Sequence, residues 1–286
     1  SIGIGTLSVG VMRVLVSGGI DVSFTAIAFF AMYSSTVLSL AVWPEMPWPL
    51  IFVISLIFGA ALGAINGFFI AFLGLPTLIV TLGTLSVFRG FLLTFVGSQR
   101  ISDLPPAMRD FSRGVLARGT TEAGNFYSIP WSALALLVVF VVTWVILQKT
   151  MLGRYIYAIG GSVESARRIG INVKWIQFFV YVYVGAWGAL AVSGDRSLGG
   201  VADPVSRVGL ELSVLAAVVL GGARLIGGYG TLTGTLLGVA LIVIVQNSLI
   251  VIGIPTTWQS VTIGLLILLG TGVPAYRAKR AAARAG

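Results

Sequence analysis

Cysteine and histidine are both absent from this 286-residue chain, and charged residues make up only 9% of it. Without these two side chains there can be no disulfide, no thiol nucleophile, none of the usual zinc ligands and not the commonest general base. A phosphate-binding loop needs a lysine directly after a glycine, and none of Lys149, Lys174 or Lys279 follows one. These absences argue against an ordinary enzyme and against ATP binding by the chain itself.

Apolar residues take the place of the missing charge. They form 57% of the sequence, and the mean hydropathy is +1.02. No water-soluble core of this length buries so much apolar surface, and apolar runs of about 17 to 23 residues recur between short polar breaks. We therefore predict an all-α polytopic membrane protein, with residues 1–286 forming one transmembrane domain. The predicted spans are 2–16, 23–42, 49–71, 76–97, 131–148, 175–194, 210–226, 231–250 and 257–273.

Strands are not expected anywhere, because the segments are long and lack the period-2 alternation of a membrane barrel. Glycine, with 37 residues, recurs instead within spans at the spacing of one helix face, as at Gly59 and Gly63 or Gly234 and Gly238. Lipid supplies no hydrophobic force between helices, so small residues of this kind favour close backbone contact in a tight helix bundle.

The charges separate into two sets when the loop 149–174 is placed in the cytosol. The cytosolic side then holds the bases Lys149, Arg154, Arg167, Arg168, Lys174, Arg224, Arg277, Lys279, Arg280 and Arg284 against the single acid Glu164. The outer side holds Arg100, Arg109, Arg113, Arg118, Arg196 and Arg207 against Glu45, Asp103, Asp110, Glu122, Asp195, Asp203 and Glu211. Four of the six outer bases lie in the long loop 98–130, the class of loop least bound by the positive-inside rule. We expect a cytosolic C-terminus. The outer position of Ser1 then predicts one further helix upstream, ten in the complete protein.

The loop 149–174 contains a short amphipathic segment. Residues 163–171, Val163, Glu164, Ser165, Ala166, Arg167, Arg168, Ile169, Gly170 and Ile171, predict a surface helix that stops at Gly170. From the residues alone, two interpretations stay open: an anchor to lipid head groups, or a docking element for a partner protein.

Several stretches together resemble the permease subunits of bacterial ABC importers for monosaccharides, the group of ribose, xylose, arabinose and autoinducer-2 permeases. The stretches are SGGIDVS at 17–23, GLPTLIVTLGTLSVFRG at 74–90, LGRYIYAIGGSVESARRIGINV at 152–173 and ELSVLAAVVLGGARLIGGYGTLTGTLLG at 211–238. Where relatives often read GGIDLSVG, this chain places Phe24 and Thr25, which puts a role of that turn in lining the path in doubt.

The resemblance implies an ABC importer permease fold, usually of ten helices, in the bacterial inner membrane. It also implies ABC ATPase subunits that carry the ATP and Mg, a periplasmic sugar-binding protein, and a second permease copy or paralogue. The chain itself would hold no cofactor and no metal. The segment 163–171 would be the coupling element that enters a cleft of the ATPase. Closure of the ATPases would then rock the bundles between inward and outward openings.

A sugar path needs hydroxyl and amide groups, and the spans offer Asn66, Thr81, Thr84, Ser86, Gln246 and Asn247. For each of them, hydrogen bonding between helices is the competing interpretation. Arg89 lies in the fourth span, where pairing with a carbonyl is expected rather than substrate contact. Three other functions stay open: a branched-chain amino-acid permease, a secondary carrier or channel working without ATP, and a membrane scaffold. The shortage of intramembrane carboxylates argues against proton coupling.

Overall fold

The computed structural model describes residues 2–120, 126–199, 202–204, 209–255, 258–270 and 272. Its elements, in chain order, are α1 Ile2–Val16, α2 Phe24–Val42, α3 Trp48–Ala71, α4 Thr77–Phe91 with a π-helical continuation Leu92–Val96, α5 Pro106–Arg113, β1 Val115–Thr120, β2 Phe126–Pro130, α6 Trp131–Lys149, α7 Met151–Gly161, α8 Val163–Arg168, α9 Val173–Gly199, α10 Leu210–Leu220, α11 Leu232–Val251 and α12 Trp258–Gly270. The basic residues 277–284 lie outside the described part of the chain.

In the described part of the chain, five helices are each long and apolar enough to cross a membrane: α2, α3, α4 with its continuation, α9 and α11. A sixth candidate is the pair α6 and α7, which bends by 75° at the junction, and α1, α10 and α12 are shorter apolar helices. Within the described residues each of the nine predicted spans contains one apolar helix, of which five or six are long enough to cross a membrane, and the all-α polytopic class is confirmed.

The largest difference from the predicted bounds is at α10, which ends at Leu220 rather than near 226. Gly222 adopts the left-handed region at φ +92. The Ala223 amide donates to the Val218 carbonyl and the Gly222 amide to that of Val219, which closes the helix. The apolar residues beyond it continue the hydropathy of the span without continuing its helix.

Two strands were not predicted. β1 and β2 pair as an antiparallel hairpin within the loop 98–130, with Val115 opposite Pro130 and Thr120 opposite Phe126. Strands of six and five residues are much shorter than the runs by which spans are recognised. Outside the bundle such a pair satisfies its backbone groups with each other and with water.

α1 forms the centre of the bundle, since all its residues from Gly3 to Val16 are buried. Close backbone contact joins α3 to α9, because a Cβ atom added at Gly59 or Gly63 would overlap the carbonyl of Gly185 or Tyr181. In the same way Gly238 of α11 faces the Ala217 carbonyl of α10. The predicted small-residue packing is confirmed at these positions.

Aromatic clusters mark the two ends of the bundle. At one end Trp48, Phe52 and Phe111 stack with ring centroids 4.9 to 5.6 Å apart. At the other end the rings of Phe72 and Trp175 meet edge to face, with centroids 5.4 Å apart. Aromatic rings are enriched at both membrane–water boundaries. We call the first the hairpin end, because it carries β1 and β2, and the second the α8 end.

Candidate functional site

The segment 163–171 forms a short helix with a defined beginning and end. Ser162 caps α8, its side-chain oxygen accepting from the Ser165 amide at 3.2 Å. At the other end Gly170 has φ +82, and the amides of Gly170 and Ile171 donate to the carbonyls of Arg167 and Ala166 at 3.0 and 3.1 Å. This is the Schellman pattern, which needs a residue free of the Cβ penalty at Gly170. The predicted stop at Gly170 is confirmed.

The two faces of this segment differ in exposure. Ala166 and Ile171 are buried, as the hydrophobic contact of a Schellman motif requires. Val163 is 36% exposed and Ile169 is 74% exposed, so the apolar face predicted from sequence divides between the bundle and the outside. Glu164 and Arg168 form an exposed pair at 3.4 Å along the helix. The segment therefore forms a small projection, which we call the knob: one side packs against the protein, and the other exposes apolar and charged side chains.

Glycines fix the base of this knob. A Cβ atom at Gly160, near the end of α7, would overlap the Val16 carbonyl at the end of α1 and approach the Gly228 amide. The Gly228 amide itself donates to the Val16 carbonyl at 2.9 Å. Tyr157 adds a hydrogen bond of 2.7 Å to the Gly230 carbonyl. The helix preceding α8 thus rests directly on the central helix and on the α10–α11 connection. A Cβ atom at Gly227 would overlap Gly18 and the Gly160 carbonyl, and we call Gly160, Gly227, Gly228 and Gly18 the glycine junction.

The six residues proposed to line the sugar path differ in the hydrogen bonds that they make. Asn66 is buried and donates to the Ser23 hydroxyl at 2.7 Å, and Thr81 donates to the Ile20 carbonyl at 3.3 Å. Both therefore bind the connection between α1 and α2, as the interpretation of hydrogen bonding within the bundle requires. Thr84 donates to the Val80 carbonyl and Ser86 to that of Leu82, within their own helix.

Two further path candidates lie on α11. Gln246 is half-buried and Asn247 is exposed. No hydrogen bond joins either of them to the other four candidates among the residues that the structure describes. The six candidates therefore do not form one site in this chain alone.

The connection between α1 and α2 holds a buried carboxylate. Asp21 is 1% exposed and accepts from both the amide and the hydroxyl of Ser23, at 2.8 and 2.7 Å. Burial raises the pKa of Asp21 to about 6, against which the Ser23 hydrogen bonds act. Asn66 holds Ser23 from α3, so the turn joins the two helices through a polar network inside the bundle.

Arg89 pairs with a carboxylate and not with a carbonyl. Its Nη2 lies 3.3 Å from Oε1 of Glu211, in the first turn of α10. The same Oε1 accepts from the Thr25 hydroxyl at 2.6 Å, and Oε2 accepts from the Gly209 amide at 3.0 Å. Sequence reasoning placed Glu211 among the outer acids, since its neighbours along the chain give no sign that α4 lies beside it. The network joins α2, α4 and α10.

Arg13 is a second arginine within an apolar helix. Its side chain is fully buried in α1, and its guanidinium carbon lies 3.5 Å from the centre of the Tyr183 ring. The Tyr183 hydroxyl in turn lies 2.9 Å from that of Thr143. The ring face supplies partial negative charge to the buried cation. This arrangement joins α1, α6 and α9 and points to a structural role.

Known proteins of one family are similar to nearly the whole chain. The family model described as "Branched-chain amino acid transport system / permease component" matches residues 1–270. The chain is 33% identical over 264 residues to the ribose import permease protein RbsC of Haemophilus influenzae, a match that covers 92% of this chain and 79% of the relative. No solved structure gives a significant match.

Two further relatives show the same extent of similarity. The ribose import permease protein RbsC of Bacillus subtilis is 36% identical over 271 residues, covering 93% of this chain and 79% of its own length. The autoinducer 2 import system permease protein LsrC of Salmonella typhimurium is 30% identical over 262 residues, covering 92% and 72%.

Proposed function

This chain belongs to the family of branched-chain amino acid transport system permease components, and we propose that it is the membrane permease subunit of an ABC importer for a monosaccharide or a similar polyol. The observation that carries the proposal is the end-to-end similarity to ribose and autoinducer 2 permeases. The apolar helices, the two aromatic ends and a sequence without cysteine or histidine fit a subunit that moves a solute without changing its bonds.

Energy then comes from separate ATPase subunits, and a binding protein outside delivers the solute. The segment 163–171 is the coupling element in this proposal. It is exposed at Val163 and Ile169, capped at both ends, and supported by the glycine junction on α1 and α10–α11. A rigid knob whose base contacts the central helix can transmit movement of an ATPase to the bundle as a rigid-body shift.

Two substitutions in the segment 163–171 test the coupling role, one that reverses a charge and one that disrupts the turn at Gly170. In complexes reconstituted with ATPase and binding protein, we expect Glu164→Lys and Gly170→Pro to weaken ATPase co-purification and abolish hydrolysis stimulated by the binding protein. Membrane insertion should be unchanged. Arg154→Glu, an equal reversal on the exposed surface of α7, is the matched control and should keep stimulated hydrolysis. If hydrolysis and uptake survive in both coupling variants, the segment is a lipid-surface anchor.

The solute class is tested with the wild-type complex. Uptake of radiolabelled D-ribose into proteoliposomes, driven by ATP, supports the proposal. Uptake of L-leucine instead would assign the chain to amino-acid import, and uptake that persists after ATP depletion would indicate a secondary carrier.

Orientation is part of the same proposal. The chain has no cysteine, so single cysteines report the side of the membrane without background. A cysteine at Ser165 should react only from the cytosol and one at Asp103, whose side chain is 88% exposed, only from outside. The reverse pattern would overturn the proposed orientation.

A further inference from the structure

The Arg89–Glu211 pair lies deep in the bundle. Arg89 is about 18 Å from the start of α4 and about 10 Å from the end of its continuation at 1.5 Å per residue, so it lies well inside the candidate span Thr77–Val96. Its partner is in the first turn of α10, which has only 11 residues. At about 16 Å, α10 covers half the thickness of a bilayer core. A Cβ atom at Gly221, just after its last residue, would overlap the Gly234 carbonyl in the first turn of α11, so the N-terminus of α10 lies about half a bilayer core away from the end where α11 begins. Charge at such depth is costly and is normally retained for function.

A cavity adjoins the arginine. It is a small hollow, partly open to the outside, with room for about one water molecule, and it is lined by Ala26, Phe29, Arg89, Leu92 and Pro204. Arg89 is its charged wall, with a side chain 32% exposed, while Glu211 lies behind it at 13% exposure. Ser86, one turn earlier on the same face of α4, is also exposed. The other four lining residues are apolar, so the hollow places one charged group beside an apolar surface.

The Arg89 guanidinium is fixed by Glu211 and keeps N–H donors that could bind a further group. Of its five N–H donors, one is directed to Glu211, and no other hydrogen bond of Arg89 is present among the described residues. Glu211 is fixed by donors from Thr25 and Gly209 besides Arg89. The helix changes to π-helical geometry at Leu92, three residues after Arg89, a distortion frequent at functional sites.

We propose that Arg89 contacts the solute on the translocation path, and that Glu211, held by Thr25, is a positioning residue that keeps this contact electrically neutral. An unpaired guanidinium would attract anions. Paired with Glu211 it presents N–H donors with no net charge, which suits the hydroxyl oxygens of a neutral polyol, while Phe29 and Leu92 offer an apolar surface to its C–H groups. The inference rests on the proposed function and specifies where the bundle meets the solute.

The decisive variant replaces the pair by apolar groups of similar size, Arg89→Met with Glu211→Leu. Removing both members of a buried pair is often neutral for folding, so assembly and stimulated ATP hydrolysis should stay within about twofold of wild type. The D-ribose transported per ATP hydrolysed should fall at least tenfold. Arg109→Met with Asp103→Leu removes the exposed pair at the hairpin end, 2.6 Å apart, and is the matched control. It should leave the ratio unchanged.

Thr25→Val separates positioning from contact. Loss of its hydroxyl should lower the transport ratio by a smaller factor than loss of Arg89, with hydrolysis unchanged. A transport ratio at the wild-type value in the apolar double variant overturns the proposal. Should that variant fail to assemble, Arg89→Gln decides, because Glu211 keeps its Thr25 and Gly209 donors; an unchanged ratio again overturns it. Failure of the wild-type complex to carry D-ribose at all would be a failure of the proposed function and not of this inference.

Discussion

The α8 segment and the Arg89–Glu211 network are both polar features of an apolar protein, but they are built in opposite ways. α8 is held by contacts between close neighbours in sequence: the Ser162 cap, the Gly170 turn and the Glu164–Arg168 pair. The Glu211 network joins residues separated by as many as 186 positions. The first can be written into a short motif, whereas the second exists only when three helices have packed.

The glycine junction joins the helix that precedes α8 to α1 and to the α10–α11 connection, and breaking it should have the largest effect. Gly160→Ala would force a methyl group against the Val16 carbonyl and the Gly228 amide. We expect the free energy of unfolding to fall by about 3 kcal/mol or more, the upper end of what overpacking usually costs. The midpoint of thermal unfolding in detergent and the yield of assembled complex should both fall.

The adjacent Gly161 is the matched control, since a Cβ atom there meets no atom within 4 Å. Gly161→Ala should leave both measurements within experimental error. Equal behaviour of the two variants would show that close packing at Gly160 is unimportant.

The pH dependence of stability tests the buried carboxylate Asp21 in the connection between α1 and α2. Its pKa of about 6 in the folded protein exceeds the ordinary value of 3.8, so the folded state holds the proton to higher pH than the unfolded state. The contribution to stability is complete below pH 4 and is lost as pH rises towards 6. Asp21→Asn should remove this fall and raise stability at pH 7.5 by about 1–3 kcal/mol.

Thermal unfolding between pH 4 and 8 measures this difference, with Asp103→Asn at the exposed hairpin end as control. A wild-type profile that stays parallel to that of Asp21→Asn over the whole range would contradict the assignment.

Gly170→Ala tests the local construction of α8. The position has φ +82 with open space around it, so the cost comes from backbone conformation alone, about 1 kcal/mol. Hydrogen exchange of the α8 amides should speed up while the rest of the bundle is unchanged. Gly170→Asn, which tolerates the left-handed region, should show a smaller effect; exchange that is equally slow in all three proteins would contradict the cap.

Glu164→Gln should have the smallest effect on stability, no more than about 0.5 kcal/mol, because the pair with Arg168 is exposed. The same exchange measurement checks this, with Arg168→Gln as its counterpart. If the free energy of unfolding fell by several kcal/mol, Glu164 would be a structural residue of the segment and not a contact for the ATPase.

Hydropathy and turn residues were sufficient to predict most of the fold. The apolar runs set the helices nearly to the residue at α1, α3 and α11, because a helix inside a membrane protein bundle must be apolar along almost its whole length, whether it faces lipid or other helices. They failed at α10, where apolar residues continue past the Gly222 turn, and at the hairpin, where the strands are too short to show a period.

The site divides in the same way. For 163–171, the sequence by itself determined the helix, its stop at Gly170 and its charges, since capping and helix periodicity act over a few residues. Tertiary structure alone decided that Ala166 faces the bundle while Ile169 faces out, that Asn66 and Thr81 bind the α1–α2 connection, and that Glu211 meets Arg89. The physical reason is that side chains on different helices become neighbours only through packing, and hydropathy specifies which residues avoid water but not which of them meet.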